Sequence, residues 1–157
     1  MGKIIGIDPG FGRVGWGIIE GRKSDWKHVA HGLIETDKKA EFVDRLIEIK
    51  RELSKVIKKH KPSASAVEEL FFYKNVTTGI KVGQARGVIL LTLAEAGLEV
   101  FEYTPLQIKK AIVGHGTAQK RQVQKMLQMQ FGIKKAIQDD AADALAAALT
   151  CGFSERM

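Results

Sequence analysis

The chain has almost no cysteine, little proline and no long hydrophobic run. One cysteine in 157 residues excludes an internal disulfide framework and is typical of a reducing compartment. The longest apolar stretches, such as residues 88–94, are far shorter than the roughly 20 residues that a membrane-spanning helix needs. No apolar segment of the secretory-signal type follows the first residues, so we expect a cytoplasmic protein.

Positive charge is in excess, because 25 Lys and Arg residues stand against 18 Asp and Glu residues, which gives a net charge of +7. Such a balance favours a polyanionic partner, and nucleic acid is the leading candidate since its phosphates attract Lys and Arg. A solvated basic surface with no such partner would explain the same charge. No GxxxxGK[ST] phosphate loop is present, so the common nucleotide-hydrolase signature is missing.

Hydrophobic periodicity predicts one α/β domain that spans residues 1–157. Three consecutive strands followed by strands that alternate with helices predict a mixed sheet with an antiparallel half and a parallel half. Ligands of such sheets bind beyond the carboxyl ends of the parallel strands. The predicted strands are 3–8, 14–19, 26–36, 63–70 and 98–103, and the predicted helices are 40–60, 78–96, 104–113, 118–130 and 135–153.

Acidic residues follow the ends of several predicted elements. Asp8 ends the first strand, either Glu68 or Glu69 ends the fourth, and Asp140 and Asp143 share one face of the last helix. Taken singly, such acids often form turns or stabilise a helix N-terminus. Converging carboxylates would instead repel one another unless a divalent cation such as Mg²⁺ or Mn²⁺ neutralised them. Two such ions can cleave a phosphodiester bond, so the pattern predicts a nuclease-type metal site.

The stretch IGIDPGFGRVGWGII, residues 4–18, permits a second interpretation. Asp8, Gly10 and Gly15 match the pattern D-x-G-x-x-x-x-G, which resembles the first phosphate loop of actin-like ATPases and sugar kinases. Those proteins enclose a nucleotide between two lobes, and 157 residues are too few for two lobes. The carboxylate metal site is therefore the better interpretation, with the glycines forming a tight hairpin after Asp8.

Five segments stand out in order along the chain: IGIDPG, AVEELFFYKN, VGQARGV, FEYTPLQIKKAIVGHGTAQKRQVQ and DDAADALAAALT. Taken together, they resemble the RuvC family of bacterial Holliday-junction resolvases over about residues 3–152. The resemblance implies a ribonuclease H-like fold, in which a five-stranded mixed sheet carries helices on both faces. It also implies a homodimer that uses Mg²⁺ or Mn²⁺ to cut two opposing strands of a four-way DNA junction, in association with the RuvA–RuvB branch-migration complex.

The resemblance assigns the catalytic and metal-binding roles to Asp8, Glu68, Asp140 and Asp143, with two ions expected in the site. It thereby selects Glu68 over Glu69, which strand alternation alone does not distinguish. Asp139 is an additional acid beside this set.

The resemblance also implies DNA contacts at Phe71, Lys109 and Lys120. Phe71 would stack on a base near the junction centre, although Phe72 and Tyr73 are equally aromatic neighbours. The helix over 78–96 would contribute to the dimer interface. Its glycines at positions 79, 83 and 87 allow close approach either of a partner helix or of the chain's own sheet, and the sequence leaves both possibilities open.

Two other functions are compatible with parts of this pattern. One is a ribonuclease H-like nuclease that acts on structured RNA, and the other is a catalytically silent module that binds junctions. The complete acid set argues against the silent module. Residues 71–75, with the sequence FFYKN, combine aromatic and basic side chains, which argues for branched DNA as the substrate.

Overall fold

The computed structural model describes residues 2–69 and 75–155, in which all ten predicted elements occur in the predicted order. The sheet has the order β3-β2-β1-β4-β5, with β1–β2 and β2–β3 antiparallel and β1–β4 and β4–β5 parallel. The mixed sheet predicted from the sequence is therefore confirmed. The strands are β1 (Gly2–Asp8), β2 (Arg13–Arg22), β3 (Asp25–Glu35), β4 (Ala64–Glu68) and β5 (Glu99–Tyr103), and the helices are α1 (Phe42–His60), α2 (Val76–Glu95), α3 (Pro105–Val113), α4 (Lys120–Phe131) and α5 (Asp139–Ser154).

Helices cover both faces of the sheet, and each face has its own hydrophobic cluster. On one face Ile5 and Ile7 of β1 pack with Leu53 of α1 and Ile89 of α2. On the other face Ile4 belongs to the cluster of buried residues that α3, α4 and α5 contribute. Since successive residues of β1 are buried on opposite faces, its continuous apolar run is that of a central strand.

Glycines in β1 and β2 allow the backbone of α5 to pack directly against the backbone of the sheet. A Cβ added at Gly6 would overlap the carbonyl oxygen of Ala144, and one added at Gly15 would overlap that of Asp140. The facing side of α5 consists mostly of alanines, so small residues meet bare Cα atoms. Gly15 lies in the predicted second strand, but its role in setting the position of α5 was not predicted, since the glycines were expected only to form a tight hairpin after Asp8.

Several helix starts differ from prediction by two to four residues, and side-chain caps explain two of them. Helix α5 begins at Asp139 and not near residue 135, because the side chain of Gln138 accepts hydrogen bonds from the backbone N–H groups of Asp140 (2.7 Å) and Ala141 (3.1 Å). Helix α2 begins at Val76, two residues before the predicted position, and the Asn75 side chain accepts a bond from the N–H of Thr78. Among the residues that the structure describes, no helix is long and apolar enough to span a membrane.

Candidate active site

The sheet topology brings Asp8 and Glu68 to the same edge. Each is the last residue of its strand, and the parallel register pairs Ile7 with Val67, so the two acids follow neighbouring residues of adjacent strands. The N-terminal turns of α5 lie above this edge and carry Asp140 and Asp143, three residues apart on one helix face. Two strand ends and one helix start therefore supply the four acids.

Three of these acids form a compact group. Carboxylate oxygens of Asp8, Asp140 and Asp143 all lie within 4.8 Å of one another. The side chains of Asp140 and Asp143 are 31% and 30% exposed, whereas Asp8 is only 8% exposed. Glu68 lines the same pocket without belonging to that 4.8 Å group. The arrangement is a buried carboxylate at the base of a cleft with two more accessible ones above it.

Burial and mutual repulsion change the acidity of this cluster. Burial, followed by the charges of Glu68, Asp143 and Asp140, raises the pKa of Asp8 to about 9. Burial and the charge of Asp143 raise the pKa of Glu68 to about 7, although Lys120 and Lys109 oppose that rise. Burial also raises the pKa of Asp143, against the influence of Lys120. The cluster therefore cannot hold its full negative charge near neutral pH without a cation, and its oxygen-only donors fit a hard divalent metal.

Two cationic side chains contact the acids directly. Lys120 Nζ lies 3.5 Å from Oδ2 of Asp143 and 3.5 Å from Oδ2 of Asp139. Arg13 Nε lies 3.7 Å from Oδ2 of Asp140. Arg13 was not predicted as a site residue, because its place at the start of β2, which pairs with the Asp8 strand, is evident only in the structure.

The remaining acids near the cluster have other partners. Asp139, the additional acid, has a side chain that is 64% exposed and accepts a hydrogen bond of 2.8 Å from Gln124 Nε2. The neighbouring carboxyl group of Glu102 on β5 raises the pKa of Glu69, whose backbone N–H donates to the carbonyl of Tyr103. The structure thus places Glu68, and not Glu69, beside the aspartates.

A sequence model of the family described as "Crossover junction endodeoxyribonuclease RuvC" matches residues 4–151. The chain belongs to the RuvC family. A protein of that description from Thermosipho melanesiensis is 49% identical over 147 residues, which cover 93% of this chain and 94% of the relative. Another from Rubrobacter xylanophilus is 50% identical over 155 residues, covering 98% and 87%.

A solved structure of Thermus thermophilus RuvC in complex with Holliday junction substrate has the same fold. It is 35% identical to this chain, covers 98% of it and 94% of its own chain, and superposes with a TM-score of 0.92. The predicted ribonuclease H-like architecture with helices on both faces is confirmed. The predicted enzyme class, a DNA endonuclease, is that of the RuvC family.

In this RuvC-family chain two pockets share the acid cluster. The larger one, of about 660 Å³, is lined by the segment 9–12 after Asp8, by Arg13 and by Lys38. The smaller one, of about 240 Å³, lies between α3, α4 and α5 and contains Lys109 and Lys120. Glu68 and Asp143 line both pockets, so the acids form the boundary between them.

The glycine-bearing face of α2 is open in the described part of the chain. A Cβ added at Gly83 or Gly87 would have no neighbour within 4 Å among the residues described, and Ile80 and Leu91 on the same helix are 57% and 55% exposed. This face therefore does not pack on the chain's own sheet, which is one of the two possibilities that the sequence left open. Phe71, Phe72 and Tyr73 lie outside the described residues, so the predicted DNA contact of Phe71 remains a prediction.

Proposed function

We propose that this chain is a Holliday-junction resolvase, a metal-dependent endodeoxyribonuclease that makes paired, symmetric nicks in four-way DNA junctions. The convergence of Asp8, Glu68, Asp140 and Asp143 at one edge of the sheet supports this function most directly. Family membership and the junction-bound Thermus thermophilus relative support the choice of substrate. Homologous recombination and DNA repair are the processes in which such junctions arise.

The four acids would hold the divalent ions, for which we propose Mg²⁺ or Mn²⁺ and two ions per site. Bound divalent ions supply the Lewis acidity that activates water and stabilises the leaving oxygen in phosphodiester cleavage. Asp8, at the base of the cleft, would be the most enclosed ligand, and Asp140 and Asp143 the ones nearest the entering DNA backbone. Glu68 would complete the set from the neighbouring strand.

Basic side chains flank the acids on both sides and would hold the substrate strand. Lys120 and Lys109 stand on the α3–α4 side, where their ammonium groups would neutralise DNA phosphates and the charge that develops at the phosphate during cleavage. Arg13 and Lys38 stand on the other side of the cleft. Because Arg13 also contacts Asp140, it would orient that carboxylate as well as attract the DNA.

The exposed face of α2 supports a homodimer. Ile80, Gly83, Gly87 and Leu91 are spaced so that they share one side of the helix, and large exposed apolar groups of this kind mark interaction surfaces. The bare glycines would allow the backbones of two α2 helices to approach closely. A two-fold axis through this contact would place two identical acid clusters symmetrically, as paired nicks in two like strands require.

Two partner contacts remain predictions without a described residue to support them. Stacking of Phe71 on an unpaired base at the junction centre would stabilise an opened junction, since such stacking contributes about 1–3 kcal/mol per base. A contact with the RuvA–RuvB branch-migration complex is implied by the family alone.

A substrate panel tests the proposed function. The protein is incubated with a synthetic four-way junction, linear duplex DNA and structured RNA, each with Mg²⁺ and with EDTA. We expect nicks at symmetric positions in two opposing strands of the junction with Mg²⁺ only. Cleavage of the RNA alone would favour the ribonuclease alternative, and binding of the junction without cleavage in Mg²⁺ or Mn²⁺ would favour the silent module.

A further inference from the structure

We infer that the smaller pocket, between α3, α4 and α5, binds one unpaired nucleotide of the DNA strand that is cut, next to the scissile phosphate. The inference rests on the proposed junction cleavage and adds a feature that determines which part of the DNA the enzyme accepts.

The walls of this pocket are apolar and rigidly held. They consist of Pro105 and Ile108 from α3, Val123 from α4 and Ala146 from α5, and the last three are at most 7% exposed. The Thr104 capping box fixes the first turn of α3, with Thr104 Oγ1 accepting from the N–H of Gln107 and Gln107 Oε1 accepting from the N–H of Thr104. Flat apolar surfaces held in this way suit the face of a base or a deoxyribose.

The size of the pocket limits what can enter. Its volume of about 240 Å³ is below the ~300–1,000 Å³ of most drug-sized sites. A single base fits such a space, whereas a base pair with its two backbones does not. A nucleotide can therefore enter the pocket only after it has left its partner.

Because the acids Glu68 and Asp143 also line the pocket, it attracts a nucleotide phosphate only once the proposed metal ions neutralise them. Lys109 and Lys120 line the same pocket as the apolar walls, and the Lys120 side chain is about half exposed. Ammonium groups at the edge of an apolar slot match a nucleotide, whose phosphates remain outside while the base is buried.

Position identifies the nucleotide as a neighbour of the cleavage site. Glu68 and Asp143 line both this pocket and the larger cleft, so a strand whose phosphate lies at the acids has its adjoining nucleotide at the pocket. A base enters only where pairing is broken, and the centre of a four-way junction is such a place. The pocket would thus favour cleavage at the branch point over cleavage within a duplex arm.

The test uses junctions that contain one abasic residue, either on the 3′ side or on the 5′ side of the scissile phosphate, together with the unmodified junction. The wild-type protein should cut one of the two abasic junctions at least about fivefold more slowly than the unmodified one, because removing a stacked base loses that much affinity or more. A loss at neither position, or an equal loss at both, would overturn the inference. Failure to cut the unmodified junction would instead overturn the proposed function, so the two failures are distinguishable.

A pocket-filling variant provides the second comparison. Val123→Phe should slow cleavage of the unmodified junction and remove the difference between abasic and unmodified substrates. Met126→Phe is the matched control, because this residue lies on the same helix but is exposed outside the pocket, and it should keep both the rate and the difference. If Val123→Phe fails to fold, Val123→Leu fills the pocket with less strain. A folded pocket-filling variant that retains the full abasic penalty would contradict the inference.

Discussion

Gly15 lies directly opposite Asp8 in the antiparallel pairing of β1 with β2, and its bare Cα faces the backbone of Asp140. A side chain at this position would overlap the carbonyl oxygen of Asp140 and push the start of α5 away from the sheet. Because Asp140 and Asp143 belong to that part of α5, the glycine controls the distance between them and Asp8.

Gly15→Ala should therefore impair the site more than its single added methyl group suggests. We expect cleavage of a four-way junction to fall at least about tenfold, and overpacking to lower the free energy of unfolding by about 1–3 kcal/mol. Gly2→Ala is the control on β1, because its Cβ would make only an ordinary contact, 3.5 Å from Ser63 Oγ. Normal cleavage by Gly15→Ala would show that the spacing of α5 is not critical.

The raised pKa of Asp8 predicts a pH-dependent stability in EDTA. Its pKa rises from 3.8 in the unfolded chain to about 9, so between these values the folded protein binds a proton that the unfolded chain has lost. The resulting destabilisation is absent below about pH 4, grows as the pH rises and is complete above about pH 9. Asp8→Asn removes it, so this variant should melt a few °C above wild type at pH 8, with the difference shrinking toward pH 4. Thermal melts across this range check the prediction, and parallel curves for the two proteins would contradict it.

Divalent metal should reverse this destabilisation in the wild-type protein. A ligand that binds only the folded state stabilises it by about 2.7 kcal/mol at 100 times its Kd, so Mg²⁺ or Mn²⁺ at pH 8 should raise the Tm by several degrees. Asp8→Asn should lose at least half of this increase. Asp139→Asn serves as control, since its exposed side chain lies outside the acid group, and an equally reduced response there would contradict the assigned ligand set.

A charge on the exposed face of α2 should disrupt the proposed dimer. Leu91→Glu is expected to convert the dimer to a monomer in light scattering after size exclusion, because an unpaired carboxylate would be buried between the two helices. Met129→Glu, a comparable change at an exposed residue of α4 on the other side of the sheet, should leave the dimer intact. A wild-type protein that is already monomeric would contradict the proposed interface.

The sequence predicted the parts of this structure that depend on periodicity and chain direction. The buried run of β1 and the mixed sheet follow from patterns along the chain. The choice of Glu68 over Glu69 came from the family resemblance, because strand alternation alone does not distinguish them. The contacts of Arg13 and Gly15 with Asp140 could not be predicted, because they depend on how closely α5 packs across the sheet. The start of α5 was also misplaced, since Gln138 is an uncommon cap and offers little sequence signal.

The most direct test of the account compares binding and cleavage by Asp8→Asn with Mg²⁺ present. This substitution removes one charge from the acid cluster while keeping the shape of the side chain, and the basic residues around the cleft are unchanged. We expect junction cleavage to fall by at least about a thousandfold, the scale of removing a principal catalytic group, while the Kd for the junction stays within about threefold of wild type. Cleavage near the wild-type rate, or loss of junction binding by a variant that is still folded, would contradict the assignment of Asp8 to a catalytic metal site.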